Sequence, residues 1–395
     1  MVPKDWDSIL LGRISSVVTS GSRDWAKYYS TFGSKFIRMT NLNRNGIDLL
    51  LNDLRYVSIN SESNDGKRTS LQYGDILISI TAELGKIGWV PNDFGEAYIN
   101  QHTAMVRIDP AKAESKFIAY QLSSQRLNKI INSLNDAGAK AGLNLPAIKS
   151  IPVLLPPLPE QKKIAQILST WDKAITTTEK LLANSELQKK ALMQQLLTRK
   201  RRFPGFEGEW KKIELGKLLD YQQPTPYLVK SSDYSNEHRV PVLTAGKTFV
   251  LGYTNEDFGI FNKNLPVIIF DDFTTASKFV NFPFKAKSSA MKILEAKESV
   301  SIKYVFEAMQ ILNYPIGGHQ RHWISIFANL VISLPSSEEQ QKIASVLSTA
   351  DCEIELLKQK LCCLKQEKKA LMQQLLTGKK RVKIQEEGNG SNRTN

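Results

Sequence analysis

The 395-residue chain carries 53 Lys and Arg against 39 Asp and Glu, a formal charge of +14, with 42% hydrophobic residues and a pI near 9.4. It exceeds the roughly 250–300 residues that one hydrophobic core serves, so two or more domains are expected, and the positive excess points to a polyanionic partner or an anionic surface. No run of about eighteen apolar residues occurs, which excludes a spanning helix, and the opening MVPKDWDSILLG lacks the apolar core of a signal peptide.

In chain order, DWDSILLGRI at 5–14 precedes a β-rich stretch. GDILISI at 74–80, KIGWV at 86–90 and TAMVRI at 103–108 have strand composition, and FIAYQLSSQRLNKIINSL at 117–134 has helical periodicity. The glycine-bearing loop GAKAG at 138–142 leads to a strand that ends at Leu155 and Pro156. Beyond it Ile164, Leu168, Trp171, Ile175 and Leu182 fall at multiples of helical spacing, which predicts a long amphipathic helix. Arg199, Lys200, Arg201 and Arg202 complement the negative end of that helix, and Pro204 and Gly205 are expected to stop it. The same cations suit phosphate contact equally well.

The plan then repeats. EWKKIELGKL at 209–218 matches the opening segment at an offset of 204, followed by LPVIIFDD at 265–272, SAMKIL at 289–294 and the helical IKYVFEAMQIL at 302–312. GGHQR at 317–321 precedes a strand that ends at Leu334 and Pro335. At an offset of 179, EQQKIASVLSTADCEI at 339–354 matches EQKKIAQILSTWDKAI at 160–175, and KKALMQQLLT occurs at both 189–198 and 368–377. Ile343, Leu347, Ile354, Leu357 and Leu361 mark the apolar stripe of a second long helix, with Lys379, Lys380 and Arg381 after it.

Each stripe needs a partner, either its own domain or the other helix, and packing of helix on helix is the expectation. A chain that runs out along one helix, builds a domain and returns along an equivalent helix makes the two antiparallel, with the domains at opposite ends of a rod. The fold class expected is therefore α+β. Two mixed α/β domains, 1–158 and 204–337, are separated by coiled-coil-like helical spacers, 159–203 and 338–382, in a pseudo-two-fold internal repeat. The polar tail 383–395 is expected to be disordered. The cysteines, Cys352, Cys362 and Cys363, all fall in the second helix, two of them adjacent, which suits a reducing, cytoplasmic compartment.

The paired openings LPPLPEQKKIA and LPSSEEQQKIA, the doubled KKALMQQLLT, the passage RRFPGFEGEW and the WxxxxLG pattern at Trp6 and Trp210 cover essentially the whole chain. With them the sequence resembles the specificity subunits of type I restriction-modification systems. The resemblance implies two target recognition domains, each reading one half of a bipartite, asymmetric sequence in double-stranded DNA. It implies helical regions that set the gap between the half-sites and dock two modification (methyltransferase) subunits, with restriction (ATP-dependent endonuclease) subunits joining the full complex. S-adenosylmethionine is implied in the methyltransferase partners, and no cofactor or membrane for this chain. The alternative is a stand-alone two-headed DNA-binding or scaffold protein without catalytic partners.

The residues fit a non-catalytic reader. There is no glycine-rich cofactor loop after a strand and no Asn/Asp-Pro-Pro-aromatic loop for methyl transfer, the Glu-x-Lys triplets at 114–116 and 295–297 are commonplace, and His319 and His322 lack a ligand-spaced neighbour for zinc. No catalytic, cofactor-binding or metal residue is assigned. Base edges and phosphates are met by Arg, Lys, Asn, Gln, Ser and Thr on loops. In the first domain that selects Arg38, Thr40, Asn41, Asn43 and Arg44 of IRMTNLNRN, Lys86 beyond a strand end, and Lys140 and Asn144 of GAKAGLN. In the second it selects Lys247 and Thr248, then Thr274, Thr275 and Lys278 after Asp271 and Asp272, and His319, Gln320, Arg321 and His322 of GGHQRHW. Thr81 and Glu83 stand with Lys86 at that strand end of the first domain, and Gln101 and His102 could also reach DNA, although a turn role serves these last two as well.

Overall fold

A computed structural model describes residues 3–135, 142–246, 248–313 and 322–384. The chain divides into two compact units, one of residues 1–177 with 361–395 and one of residues 178–360. Each unit takes one end of each long helix, so neither helix forms a segment of its own.

The first unit contains β1 (Asp7–Leu10), α1 (Leu11–Ile14), β2 (Ser15–Ser20), β3 (Tyr29–Ser30), β4 (Ser34–Ile37), β5 (Arg55–Val57) and α2 (Asn64–Thr69). There follow β6 (Ile76–Ser79), β7 (Ile87–Trp89), β8 (Ala97–Ile99), β9 (Thr103–Ile108), α3 (Ser115–Ser123), α4 (Gln125–Ser133), α5 (Leu145–Lys149), β10 (Pro152–Leu155) and the start of α6 (Leu158–Leu196). An antiparallel sheet runs β2-β9-β6-β7, a second runs β3-β5-β4-β8 with β4 and β8 parallel, and β1 pairs with β10 so that Asp7 faces Leu155.

Strand β6 is buried throughout, with three apolar residues in a row before Ser79, because both its faces are covered. Ile76 and Ile78 join a core with Phe117 of α3 and Ile164 of α6, whereas Leu77 joins Ile37, Leu42 and Ile99 on the other side. The helix expected over 117–134 is two helices. Ser124 takes extended backbone (φ −66°, ψ 148°) and its hydroxyl accepts from Leu127 N–H, so the serine caps α4 instead of continuing α3.

The second unit repeats the plan with β11 (Lys211–Glu214), α7 (Leu215–Leu218), β12 (Leu219–Gln222), β13 (Val240–Leu243), β14 (Val250–Thr254), β15 (Val267–Asp271) and β16 (Ser277–Val280). It continues with β17 (Lys285–Ala286), β18 (Met291–Ala296), α8 (Ile302–Gln310), α9 (His322–Ser325), β19 (Val331–Leu334) and the start of α10 (Ser337–Leu375). The sheet β12-β18-β15-β16 corresponds to β2-β9-β6-β7, the parallel pair β13-β17 to β4-β8, and Lys211 of β11 faces Leu334 of β19 as Asp7 faces Leu155.

The apolar stripes of α6 and α10 serve both of the partners expected for them, the domain and the other helical region. In the first unit Ile164 and Leu168 are buried with Trp6 and Phe117 of the domain and with Leu375 and Leu376 at the end of the second helical region. In the second, Ile343 and Leu347 are buried with Tyr304 and Trp323 and with Leu196 and Leu197. Farther along, Ile354 is buried, and Trp171, Ile175, Leu182, Leu357 and Leu361 are half-buried.

Ion pairs fix the register. Arg381 meets Glu160 at 2.7 Å and Lys368 meets Asp172 in the first unit; Arg202 meets Glu339 at 2.7 Å and Lys189 meets Asp351 at 2.6 Å in the second. These are the same positions of the repeat, 179 residues apart, with partners exchanged: the acid always comes from one copy and the base from the other. Early residues of one helix thus meet late residues of the other in each unit, so the paired segments are antiparallel.

Helix α6 stops before Pro204 and Gly205. Its last residue is Leu196, and Arg199 then adopts left-handed backbone (φ 62°) where the second copy has Gly378 (φ 71°). Arg201 N–H reaches back to the Gln195 carbonyl at 3.1 Å and Lys380 N–H to Gln374 at 3.2 Å, so both ends are closed by one geometry. Glycine is required at 378, because a Cβ there would lie 2.5 Å from the Pro3 ring.

Candidate nucleic-acid interface

Corresponding places in the two units each hold a cleft, between the loop after β4 or β13 and the turn after β6 or β15. The first encloses about 490 Å³ and is lined by Arg38, Met39, Thr40, Thr81, Ala82, Asn100 and His102. The second encloses about 360 Å³, and its lining includes Gly246, Thr275, Ser277, Lys278, Gln310 and Phe327. Sequence-selected residues therefore converge on both, but the side chains presented differ.

In the first unit, a 3-10 turn at Met39–Asn41 follows β4. Asn41 is only 1% exposed; its Oδ1 accepts from Arg38 N–H at 3.0 Å and its Nδ2 donates to the Leu50 carbonyl at 2.8 Å. Its choice as a contact is corrected on that ground, since its amide is spent closing the loop that carries Arg38 and Thr40. Arg38 donates from Nη2 to the Asp53 carboxylate at 2.6 Å and to the Asp53 carbonyl at 2.8 Å, and Thr40 is exposed at the cleft.

Arg44 donates to the Leu84 carbonyl at 2.6 Å and lies 3.7 Å from Glu83, which Lys86 meets at 2.7 Å. The hydrogen bond from Lys86 is the main reason that the Glu83 carboxyl is held below its usual range, so part of this positive charge is already offset. Asn43 pairs through its backbone with Ile87 and accepts from Asn45 N–H at 3.0 Å. Asn144 caps α5 by accepting from Ala147 N–H at 2.8 Å.

In the second unit Asp271 Oδ1 accepts from Phe273 N–H at 3.0 Å and from Thr274 N–H at 2.7 Å, and Thr275 takes positive φ (59°), so the turn is locked at the cleft. Asp272 is buried, accepting from Trp323 N–H at 2.9 Å with Lys292 3.4 Å away, which makes it a core residue and not a DNA-facing group. Lys278 lies on β16, and among the described residues it has no acidic partner. Thr248 is exposed, its carbonyl accepting from the Thr244 hydroxyl at 2.6 Å. Gln310, at the end of α8, was not selected from sequence; nothing in its helical context distinguishes it until the fold sets it beside Ser277, to which it donates at 3.0 Å.

Lys140, Lys247, His319, Gln320, Arg321 and the His322 side chain lie outside the described residues. Among the helix-end cations, Arg199, Lys200, Arg201, Lys379 and Lys380 are exposed, whereas Arg202 and Arg381 are committed to glutamates. Arg381 also meets Asp5 at 2.7 Å, and the hydrogen bonds from Glu160 and then Asp5 hold its guanidinium well above its usual range. Of the two uses expected for these cations, helix end and phosphate contact, Arg202 and Arg381 are engaged in the first, joining the helical regions.

Among the described residues no group of three or more His, Cys, Asp or Glu could hold a metal ion, and no helix is long and apolar enough to cross a membrane. Residues 3–187 and 207–366 match the type I restriction modification DNA specificity domain. The chain belongs to the type I restriction-modification specificity-subunit family. As a specificity subunit it supplies DNA target recognition and is the non-catalytic member of its system.

Two related specificity subunits bracket the likeness. That of the Escherichia coli enzyme EcoR124I/EcoR124II is 47% identical over 149 residues, covering 36% of this chain and 36% of the relative. That of MjaX from Methanocaldococcus jannaschii is 28% identical over 414 residues, covering 97% of this chain and 95% of the relative. The crystal structure of the specificity subunit from M. genitalium shares the fold, with a TM-score of 0.69 at 14% identity and 97% of both chains covered.

Proposed function

We propose that each unit of this specificity subunit reads one half of a bipartite, asymmetric site in double-stranded DNA. The single observation that carries the proposal is the pair of corresponding clefts with unlike linings: Arg38, Thr40, Thr81 and His102 in one, Thr275, Ser277, Lys278 and Gln310 in the other. A duplicated reader with identical side chains would suit a palindrome; unlike readers suit unlike half-sites. Thr274, Lys247 and Thr248 adjoin the second cleft in sequence, and residues 319–322 complete the candidate contacts of that unit.

The long helices are proposed to set the gap between half-sites and to dock two methyltransferase subunits, which bring S-adenosylmethionine, with ATP-dependent restriction subunits joining in the full complex. Linking two weak readers at a set distance converts them into one strong, spacing-dependent contact through effective concentration. The exposed, free cysteines at 352, 362 and 363 fit a cytoplasmic site of action. Sequencing of methylated positions in DNA from cells carrying the complete system tests the reading. Two different half-sites at one gap are expected; a palindrome, or a variable gap, would overturn it. The stand-alone alternative predicts a chain that purifies without methyltransferase, where the proposal predicts two per specificity chain.

A further inference from the structure

We infer that the cleft of the first unit is a guanine-reading site, in which Arg38 and Thr81 donate to the major-groove edge of the base and His102 positions Thr81. The inference rests on the DNA-reading role proposed above and adds which base the cleft takes and through which atoms.

Arg38 lines the cleft, and its Nη2 is pinned to Asp53 by two hydrogen bonds, 2.6 Å to the carboxylate and 2.8 Å to the carbonyl. Its Nε is buried and, among the described residues, has no acceptor. Burying a donor without an acceptor is unfavourable, and an acceptor brought by a ligand removes that cost. The Asp53 carboxylate also offsets the guanidinium charge, which suits the group to directional hydrogen bonding more than to attracting phosphate.

The second donor follows from a chain of hydrogen bonds. Gln101 Nε2 lies 3.1 Å from His102 Nε2, and an amide nitrogen only donates, so the ring nitrogen accepts and carries no proton. The proton of the neutral ring therefore sits on Nδ1, which donates to Thr81 Oγ1 at 2.9 Å. With its oxygen accepting, the Thr81 hydroxyl is left to donate its own hydrogen, and no described residue takes it. The turn that carries the ring is held by the His102 backbone N–H, which donates to Asn100 Oδ1 at 3.1 Å.

Arg38 and Thr81 thus put unfilled donors on one cleft, which Thr40 and Asn100 also line, and a donor-rich cleft selects a base edge that carries two acceptors. In the major groove guanine offers N7 and O6, adenine offers one acceptor and one donor, thymine one acceptor beside its methyl group, and cytosine a donor. The rest of the lining is Met39 and Ala82, which are apolar, with Thr40 and with Asn100, whose Oδ1 is already taken by the His102 N–H. The corresponding cleft of the second unit has Ser277, Lys278 and Gln310 in its lining and, among the described residues, no arginine.

The test uses the full chain in its complex with methyltransferase subunits, with bound sequences selected from a randomised DNA pool. Arg38→Lys keeps the charge but loses the Nε–H donor, and Thr81→Val loses the hydroxyl. Each is expected to relax a guanine requirement at one position of one half-site by roughly 10-fold while the other half-site stays unchanged. Thr81→Ser is expected to retain the requirement. His102→Gln, which keeps an acceptor toward Gln101, is expected to retain it better than His102→Leu.

Loss of affinity shared by all sequences would mark Arg38 as a phosphate contact and overturn the inference, as would an altered preference for any base other than guanine. A wild-type complex that selects a two-part site which Arg38→Lys and Thr81→Val leave intact overturns the guanine site alone. A wild-type complex that selects no two-part site overturns the bipartite reading and this inference with it.

Discussion

At single residues, equivalent positions of the repeat differ in ways that set different stabilities. Lys368 and Lys189 are equivalents, but Asp351 keeps Lys303 at 2.7 Å as a second cation, whereas Asp172 has the Tyr120 hydroxyl at 2.6 Å. Lys368→Ala is therefore expected to cost on the order of 3 kcal/mol, as for breaking a buried pair, and Lys189→Ala distinctly less. Urea denaturation of the two variants measures the difference, and equal losses would show that Lys303 does not compensate.

The same network predicts a pH window. Burial raises the Asp351 carboxyl, but hydrogen bonds from Lys189 and Lys303 outweigh it and hold the group below 3.8; burial lowers Lys303, but Asp351 and Glu307 outweigh it and hold the ammonium above 10.5. The aspartate contribution is complete above its unfolded pKa of 3.8 and is lost as pH falls through the lower native value. The lysine contribution is complete below 10.5 and is lost as pH rises through the higher native value. Asp351→Asn is thus expected to lower stability through the neutral range and to abolish the additional acid loss of the wild type below pH 4, read from denaturation midpoints across pH. Backbone strain gives a gain: Arg199→Gly places glycine at φ 62° as at Gly378, and is expected to stabilise by about 0.5–1 kcal/mol.

Among elements, the paired helices carry the sharpest expectation. Each of α6 and α10 has 39 residues, a length of ~58 Å at ~1.5 Å per residue. Inserting one heptad into each preserves the stripe and adds ~10 Å, about three base pairs. The selected target is expected to keep both half-sites and widen its gap by that amount; an unchanged gap would refute the spacer role. Exchange of acid and base partners between the repeat copies explains why both helices must change together, since one heptad alone shifts Glu160 from Arg381 and Glu339 from Arg202 in register.

For the whole molecule, the +14 charge predicts DNA affinity that falls steeply with salt whatever the sequence. Lys200 is exposed, so Lys200→Ala is expected to weaken binding to all sequences alike and to reduce the salt slope by about 1. Titrations on target and unrelated duplexes at several salt concentrations check this; a slope that does not change would leave the lysine as a helix-end residue only. Salt dependence and base preference are thereby separable, one spread over exposed cations and the other lodged in the two clefts.

How much of this was legible in the sequence depends on the range of the interaction involved. Repetition, helical periodicity and strand composition are local, so the duplicated plan, the two long helices and the central strands β6, β9 and β15 were readable residue by residue. The break at Ser124 was not, because a hydroxyl cap competes with apolar periodicity that runs straight through it.

Composition marked Arg38, Asn41, Arg202 and Arg381 alike as polar groups fit for DNA. Only tertiary contacts separated a buried loop brace, two ion-paired helix clamps and an arginine with an unfilled donor. By itself the sequence determined the family, the doubling and the excess of positive charge. The fold decided which charges are spent internally and which donors meet in one cleft, because hydrogen-bond partners come from segments far apart in the chain and only folding brings them within 3 Å.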